Sequence, residues 1–240
     1  MQRLIVDPQQ IQGKQVTLTP QQQHYLYRVL RLGSGDRAIV MDGRGKAWIA
    51  ALQNQEAQLL EPLPAFAELP IVVTLIAALP KGNGFDSVVR SGTELGVATF
   101  VPVLSDRALL NPSANKLERW RRIAREAAEQ SERAVVPTIV EPVRFPSPDL
   151  PDDLQDSAHR YICVARAISP SLLSCLCEQE QPDGGIAIAT GPEGGWTEAE
   201  VDRAIAQGFQ PVSLGPRILR AVTAPLVALA LIAAVLGGKD

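Results

Sequence analysis

Positive charge, cysteine, histidine and aromatic side chains are all scarce in this chain of 240 residues. Lysine and arginine number 23 against 26 acidic residues, for a net charge of -3. No global basic field announces a polyanionic partner, so any nucleic-acid contact must use a local basic face. The three cysteines, Cys163, Cys175 and Cys177, are an odd number and do not read as a disulfide framework. The spacing of the last two is not that of a zinc ribbon, and the only histidines are His24 and His159, so no metal site is expected. Free thiols fit a cytoplasmic protein. Met1–Gln10 lacks the basic and long apolar segments of a secretion signal. One apolar run, Ala221–Gly238, approaches membrane-spanning length. It is alanine-rich, carries Thr223 and Pro225 near its start and ends in a glycine pair, so it reads as a buried helix and not as a membrane span.

What is present is an ordinary globular composition, 46% apolar and 20% charged. Residues 1–68 show helical spacing only over Pro20–Leu32. Short strand-like pieces follow at Arg37–Met41, Ala47–Leu52 and Ala57–Leu60, separated by turn signals at Gly33–Asp36 and Asp42–Gly45. This pattern predicts a small β-barrel. Glu61–Pro70 is proline-rich and reads as a linker, which divides the chain into residues 1–68 and 69–240.

Past the linker the pattern changes. Ile71–Leu79 is a continuous apolar run, as in a strand covered on both faces. Strands are also predicted at Thr99–Leu104, Tyr161–Ala165, Ile186–Thr190 and Val212–Leu214. Helices are predicted over Gly84–Leu95, from a capping box at Asn115–Glu118 to Ser131, after an N-cap at Ser169 with Pro170 in the first turn, from a capping box at Thr197–Glu200 to Gly208, and after Thr223. Strands alternating with helices predict a mostly parallel sheet in an α/β domain.

Ala189–Trp196 holds three glycines between a predicted buried strand and a capped helix. Ligands of open α/β sheets bind beyond the carboxyl ends of the strands, where glycine lets the main chain approach them. The loop is neither a dinucleotide fingerprint nor a P-loop, since no G-x-G-x-x-G opens a helix and Gly45-Lys46 runs into Ala47. A second loop, Leu214–Arg220, again leaves a strand end through a glycine and carries Arg217 and Arg220.

Together, Thr190–Gly195, Ser213–Arg220 and Thr223-Ala224 closely resemble the C-terminal signature of the ribosomal RNA small subunit methyltransferase E family, of the SPOUT superfamily. His24, Arg28–Gly33 and Asp42-Gly43 resemble that family's N-terminal PUA-like barrel. Thr93–Val97, Pro102, Glu126–Ser131, Arg133 and Pro137 resemble its central motifs, so the likeness runs along nearly the whole chain. The resemblance implies a C-terminal domain with a trefoil knot, S-adenosylmethionine (SAM) as methyl donor, a homodimer, and methylation of N3 of a uridine in 16S ribosomal RNA of the small subunit. It implies a SAM site built from Leu79, Thr190, Gly191, Glu193, Gly194, Gly195, Leu214, Gly215, Ile218, Leu219, Arg220, Thr223 and Ala224.

The uridine N3 must lose a proton, so negative charge builds on the base and a nearby cation stabilises it. Arg220 and Arg3 are the candidates for that catalytic role, and Glu193 and Glu94 are candidate bases. The start of the last helix is expected to offer free N–H groups. For RNA the candidates are Arg28, Arg31, Arg44 and Lys46 in the barrel, with Lys81, Arg133 and Arg217 beyond it. A second basic cluster, Arg119 to Arg133, is interleaved with Glu118, Glu126 and Glu129 and reads equally as a solvated mixed face. The chain departs from the family pattern at Ser91, where lysine is frequent, and at Glu132, which replaces a glycine. Ala221 and Val222 replace a Thr-Glu pair, and Val222 removes a carboxylate base at that position. These departures keep two other readings open: a SPOUT methyltransferase for a different RNA, and a non-catalytic RNA-binding or ribosome-assembly protein.

Overall fold

Strand-forming alternation ends and continuous apolar runs begin near residue 69. The computed structural model describes residues 1–64, 67–108, 112–146, 157, 159–178 and 184–237. Ala65 and Phe66 of the proline-rich stretch, and Gly238 of the last apolar run, lie outside the described residues. One unit comprises Met1–Glu68 together with Arg125–Val136, and the other comprises Leu69–Ala124 with Pro137–Asp240.

The first unit contains β1 (Arg3–Ile5), β2 (Ile11–Gln12), β3 (Gln15–Thr17), α1 (Pro20–Gln23), β4 (Arg37–Met41), β5 (Ala47–Gln53) and β6 (Glu56–Leu63). They form a six-stranded sheet in the order β1-β4-β5-β6-β3-β2. Only β1–β4 is parallel. Alternate residues Val16, Ala38, Val40, Ala50, Leu52, Ala57 and Leu59 close on a core with Leu4, Val6, Leu18 and Leu26. Burying each large aliphatic side chain contributes about 1.5–3 kcal/mol. The helix predicted over Pro20–Leu32 is instead one α turn, capped by Thr19 and Gln22, that widens into a π-helix over His24–Val29. The wide turn is closed by Leu30 N–H donating to Tyr25 O at 2.9 Å. Trp48 is half-buried and packs against this core.

The second unit contains β7 (Val73–Ala78), α2 (Gly84–Glu94), β8 (Thr99–Leu104), α3 (Ala114–Gln130, whose last turns belong to the first unit), β9 (Thr138–Ile139), β10 (Val143–Arg144), β11 (His159–Cys163), α4 (Leu172–Cys177), β12 (Ile186–Thr190), α5 (Glu198–Ala206), β13 (Gln210–Val212) and α6 (Ala224–Leu236). Every pairing in its seven-stranded sheet is parallel, in the order β10-β8-β7-β12-β11-β13 with β9 beside β8. All residues of β7 and β12 are buried, which is why those strands are apolar without alternation. The α5 capping box forms as predicted, with Thr197 and Glu200 exchanging hydrogen bonds. Three expectations are corrected. The α4 cap is Ser171, not Ser169. Helix α3 begins at Ala114, which puts Asn115 inside its first turn instead of at the cap. The strand predicted at Val212–Leu214 lies earlier, at Gln210–Val212, and Ser213 adds only an isolated parallel bridge to Ser171. Among the described residues no helix is long and apolar enough to cross a membrane.

Candidate functional site

Because the sheet is parallel, β7, β12 and β13 deliver their loops to the same end of it. Thr190 closes β12 fully inside the sheet, and its Oγ1 has no hydrogen-bond partner among the described residues. Gly191 follows, and a Cβ there would stand 3.2 Å from Trp196 Nε1 and 3.3 Å from Cε2, so only glycine leaves the indole undisturbed. Trp196 lies against Phe145 at 5.0 Å between ring centroids, and its buried Nε1 also has no partner among the described residues. A buried polar group without a partner costs about 1–3 kcal/mol, and both of these stand beside the glycine loop. Gly195 takes φ +68°, the left-handed region, and its N–H donates to Pro192 O at 2.8 Å to close the turn.

The turn is tied to its neighbours. Glu193 Oε1 accepts Lys81 N–H at 3.0 Å, which joins the loop after β12 to the one after β7. Lys116 Nζ, from the first turn of α3, donates to Gly82 O at 3.2 Å. Arg107, just past β8, donates from Nη1 to the carbonyls of Gly194 and Trp196. Glu193 was a candidate base by sequence, yet its carboxylate serves a main-chain N–H. The Glu193→Gln variant keeps an acceptor oxygen and should leave the rate of a reaction at this site within about threefold of the parent, the scale of half a hydrogen bond. A general base would instead lose about a hundredfold or more on the same substitution, and initial rates separate the two outcomes.

Leu79 is buried at the end of β7, while Leu214 and Leu219 are half-buried and Ile218 is 58% exposed. Gly215 takes φ +109°, with its N–H on Ser213 Oγ at 3.1 Å. The start of α6 offers less than expected. Thr223 N–H and Ala224 N–H both donate to Arg220 O, at 2.8 and 2.9 Å, and Pro225 has no N–H to give. The Arg217 and Arg220 side chains are exposed beside this turn. Val222 faces α2, its Cγ1 lying 2.8 Å from where a Cβ on Gly84 would stand, so an aliphatic group occupies the place of the family's carboxylate.

The remaining cations separate into exposed and committed groups. Arg28, Arg31, Arg44 and Lys46 are exposed on the first unit, and Lys81 is exposed on the second. Arg3 pairs with Glu132, the residue that replaces the family glycine. Arg133 is corrected as an RNA candidate, because only 2% of its side chain is exposed and its Nε and Nη2 both bond Glu68 Oε2, at 3.1 and 2.7 Å. A guanidinium enclosed in this way does not reach a phosphate. In the second cluster Arg119 pairs with Asp86, Arg121 with Glu118 and Glu141, and Arg125 donates to Ile5 O. The mixed-face reading describes that cluster. Sequence reasoning missed Arg107, Lys116 and Trp196, and only the position of Arg107 beside a strand end signals its place.

The chain matches the model of an RNA methyltransferase domain over residues 67–233 and that of an RNA methyltransferase PUA domain over residues 18–59. It is 52% identical over 237 residues to ribosomal RNA small subunit methyltransferase E of Synechocystis sp., covering 98% of this chain and 78% of that one. It is 33% identical to the protein of the same name from Bacillus subtilis, covering 97% and 96%. The crystal structure of ribosomal RNA small subunit methyltransferase E from Neisseria gonorrhoeae, bound to S-adenosyl methionine, superposes with a TM-score of 0.85 at 32% identity over 98% of both chains.

Proposed function

The chain belongs to the ribosomal RNA small subunit methyltransferase E family of RNA methyltransferases, and from that premise we propose that it methylates N3 of a uridine in 16S ribosomal RNA, with SAM as donor. One observation carries the cofactor assignment. Two buried polar atoms without partners among the described residues, Thr190 Oγ1 and Trp196 Nε1, stand at a glycine loop on the ligand-binding end of a parallel sheet. That arrangement fits a ligand with polar groups bound close to the main chain.

Thr190 and Gly191–Gly195 would hold one side of SAM, and Leu79, Leu214, Gly215, Ile218 and Leu219 the adenine side. Arg220, Thr223 and Ala224 complete the site. Bound SAM supplies a methyl group made electrophilic by its sulfonium. The protein must orient the base, exclude water and stabilise the negative charge that develops as N3 loses its proton. Arg220 is the first cation proposed for that charge and Arg3 the second. Val222 presents no acceptor and Glu193 holds a main-chain N–H, so solvent takes the proton. The first unit is proposed as a PUA-like RNA-binding barrel over residues 1–68, with Arg28, Arg31, Arg44 and Lys46 on phosphates, joined by Lys81 and Arg217 from residues 69–240. The family reading adds a trefoil knot, a cytoplasmic location and a homodimer.

The test is methyl transfer from labelled SAM to small ribosomal subunits that lack the modification, followed by nucleoside analysis. N3-methyluridine is expected, reduced about a hundredfold by Arg220→Ala. Label in another nucleoside overturns the base assignment. Tight SAM binding without label in the subunits moves the substrate to a different RNA, and absence of SAM binding overturns the enzyme reading.

A further inference from the structure

We propose that Arg107 is a positioning residue that holds the Gly191–Trp196 loop in its ligand-receiving form, an inference that rests on the SAM reading above. The side chain, though exposed, lies along the loop. Nη1 donates to both Gly194 O and Trp196 O. Its Cδ stands 3.2 Å from where a Cβ on Gly194 would be. A side chain there would meet the arginine stem and shift it by a few tenths of an ångström, so glycine at 194 lets the stem lie close against the loop.

Among the described residues, the turn's other hydrogen bonds are Gly195 N–H to Pro192 O within it and Lys81 N–H to Glu193 from outside. Arg107 forms no ion pair among the described residues, so no carboxylate there competes with the two carbonyls. The neighbouring Asp106 is engaged elsewhere, with Arg203 at 3.4 Å and, through its N–H, with Glu200 at 2.9 Å. A guanidinium suits this task because its planar fork presents several donors from one rigid group. Holding both carbonyls limits the orientations of the Gly194–Gly195 and Trp196–Thr197 peptide units, and a ligand bound to the fixed loop does not have to order it.

The test uses Arg107→Met, which keeps the aliphatic stem and deletes every donor, and Arg107→Lys, which keeps one charged donor. Calorimetric titration of the full chain with SAM is expected to show affinity about tenfold weaker for Arg107→Met, the size of one charge-assisted hydrogen bond, and an intermediate value for Arg107→Lys. Hydrogen exchange of residues 190–197 in the ligand-free protein should be faster in Arg107→Met. The melting temperature of the ligand-free protein and its affinity for RNA should match the parent chain, because Arg107 is exposed. Parent-like SAM affinity and exchange in Arg107→Met overturn the proposal, as does an equal loss with Arg107→Lys accompanied by a lower melting temperature. If the parent chain itself does not bind SAM, the enzyme reading fails; the hydrogen-exchange comparison then still decides whether Arg107 holds the loop.

Discussion

Substituting Gly191 with valine is expected to weaken SAM binding by about a hundredfold. The expectation follows from what surrounds the glycine. Its position is fixed on one side by Thr190, which is hydrogen-bonded into β12 and paired with Ala77 of β7. On the other side the Trp196 indole stands 3.2–3.4 Å from the place a Cβ would take, and the γ carbons of valine reach further still. The indole cannot retreat easily. Phe145 backs it at 5.0 Å, and Phe209 backs Phe145 at 5.4 Å. Overpacking a site of this kind costs about 1–3 kcal/mol, and the exposed loop will relieve the strain before the aromatic core does. The loop therefore moves, its ties to Lys81 and Arg107 lengthen, and the proposed cofactor site is lost; 3 kcal/mol corresponds to roughly a hundredfold in affinity. Calorimetry with SAM measures the effect. Parent-like affinity in the valine variant would show that Gly191–Gly195 does not receive the cofactor.

The parts of this fold that were legible in sequence are those decided by neighbours in the chain. The Thr197–Glu200 box and the start of α6 after Thr223 follow from residues three or four apart. So does Ile186–Thr190, whose apolar run reflects burial on both faces. Where several residues compete for one local role, the sequence could not choose: Ser169 and Ser171 are both fit to cap α4, and the second does so. The widening of the Pro20–Val29 helix into a π-helix left no mark in the apolar spacing, which serves either form over so short a stretch. The two-residue strands β9 and β10 are too short to carry a period. Glu132 shows what resemblance adds. It takes φ +66°, a conformation that suits the family's glycine, and its carboxylate pairs with Arg3. The glycine loops of the site were visible as motifs. The tie from Arg107 was not, because 87 residues separate it from Gly194.

Arg133 marks the limit of reading charge without its partner, and its removal is expected to have the largest effect on stability. Beside Arg119, Arg121, Arg122 and Arg125 it looked like part of a surface for phosphates. In the fold its guanidinium is enclosed, and Glu68, 65 residues away, receives two of its nitrogens. The second oxygen of Glu68 accepts Val135 N–H at 3.1 Å, so one carboxylate fastens both the arginine and the chain beyond it. Arg133 N–H also donates to Ala128 O, which turns the chain at the end of α3. An Arg133→Met substitution keeps much of the buried volume but leaves Glu68 half-partnered at 26% exposure. Breaking a buried pair by removing one member costs about 3–5 kcal/mol, which for a chain of this size lowers the melting temperature by roughly 10 °C. Urea denaturation gives the free energy, and a titration with RNA below the transition gives the contrast. A residue that binds phosphate shows the opposite pattern, with parent-like stability, weaker RNA binding and a shallower dependence on salt. A loss of stability with RNA affinity intact would assign Arg133 to the fold and leave the recognition of RNA to the exposed cations of the first unit.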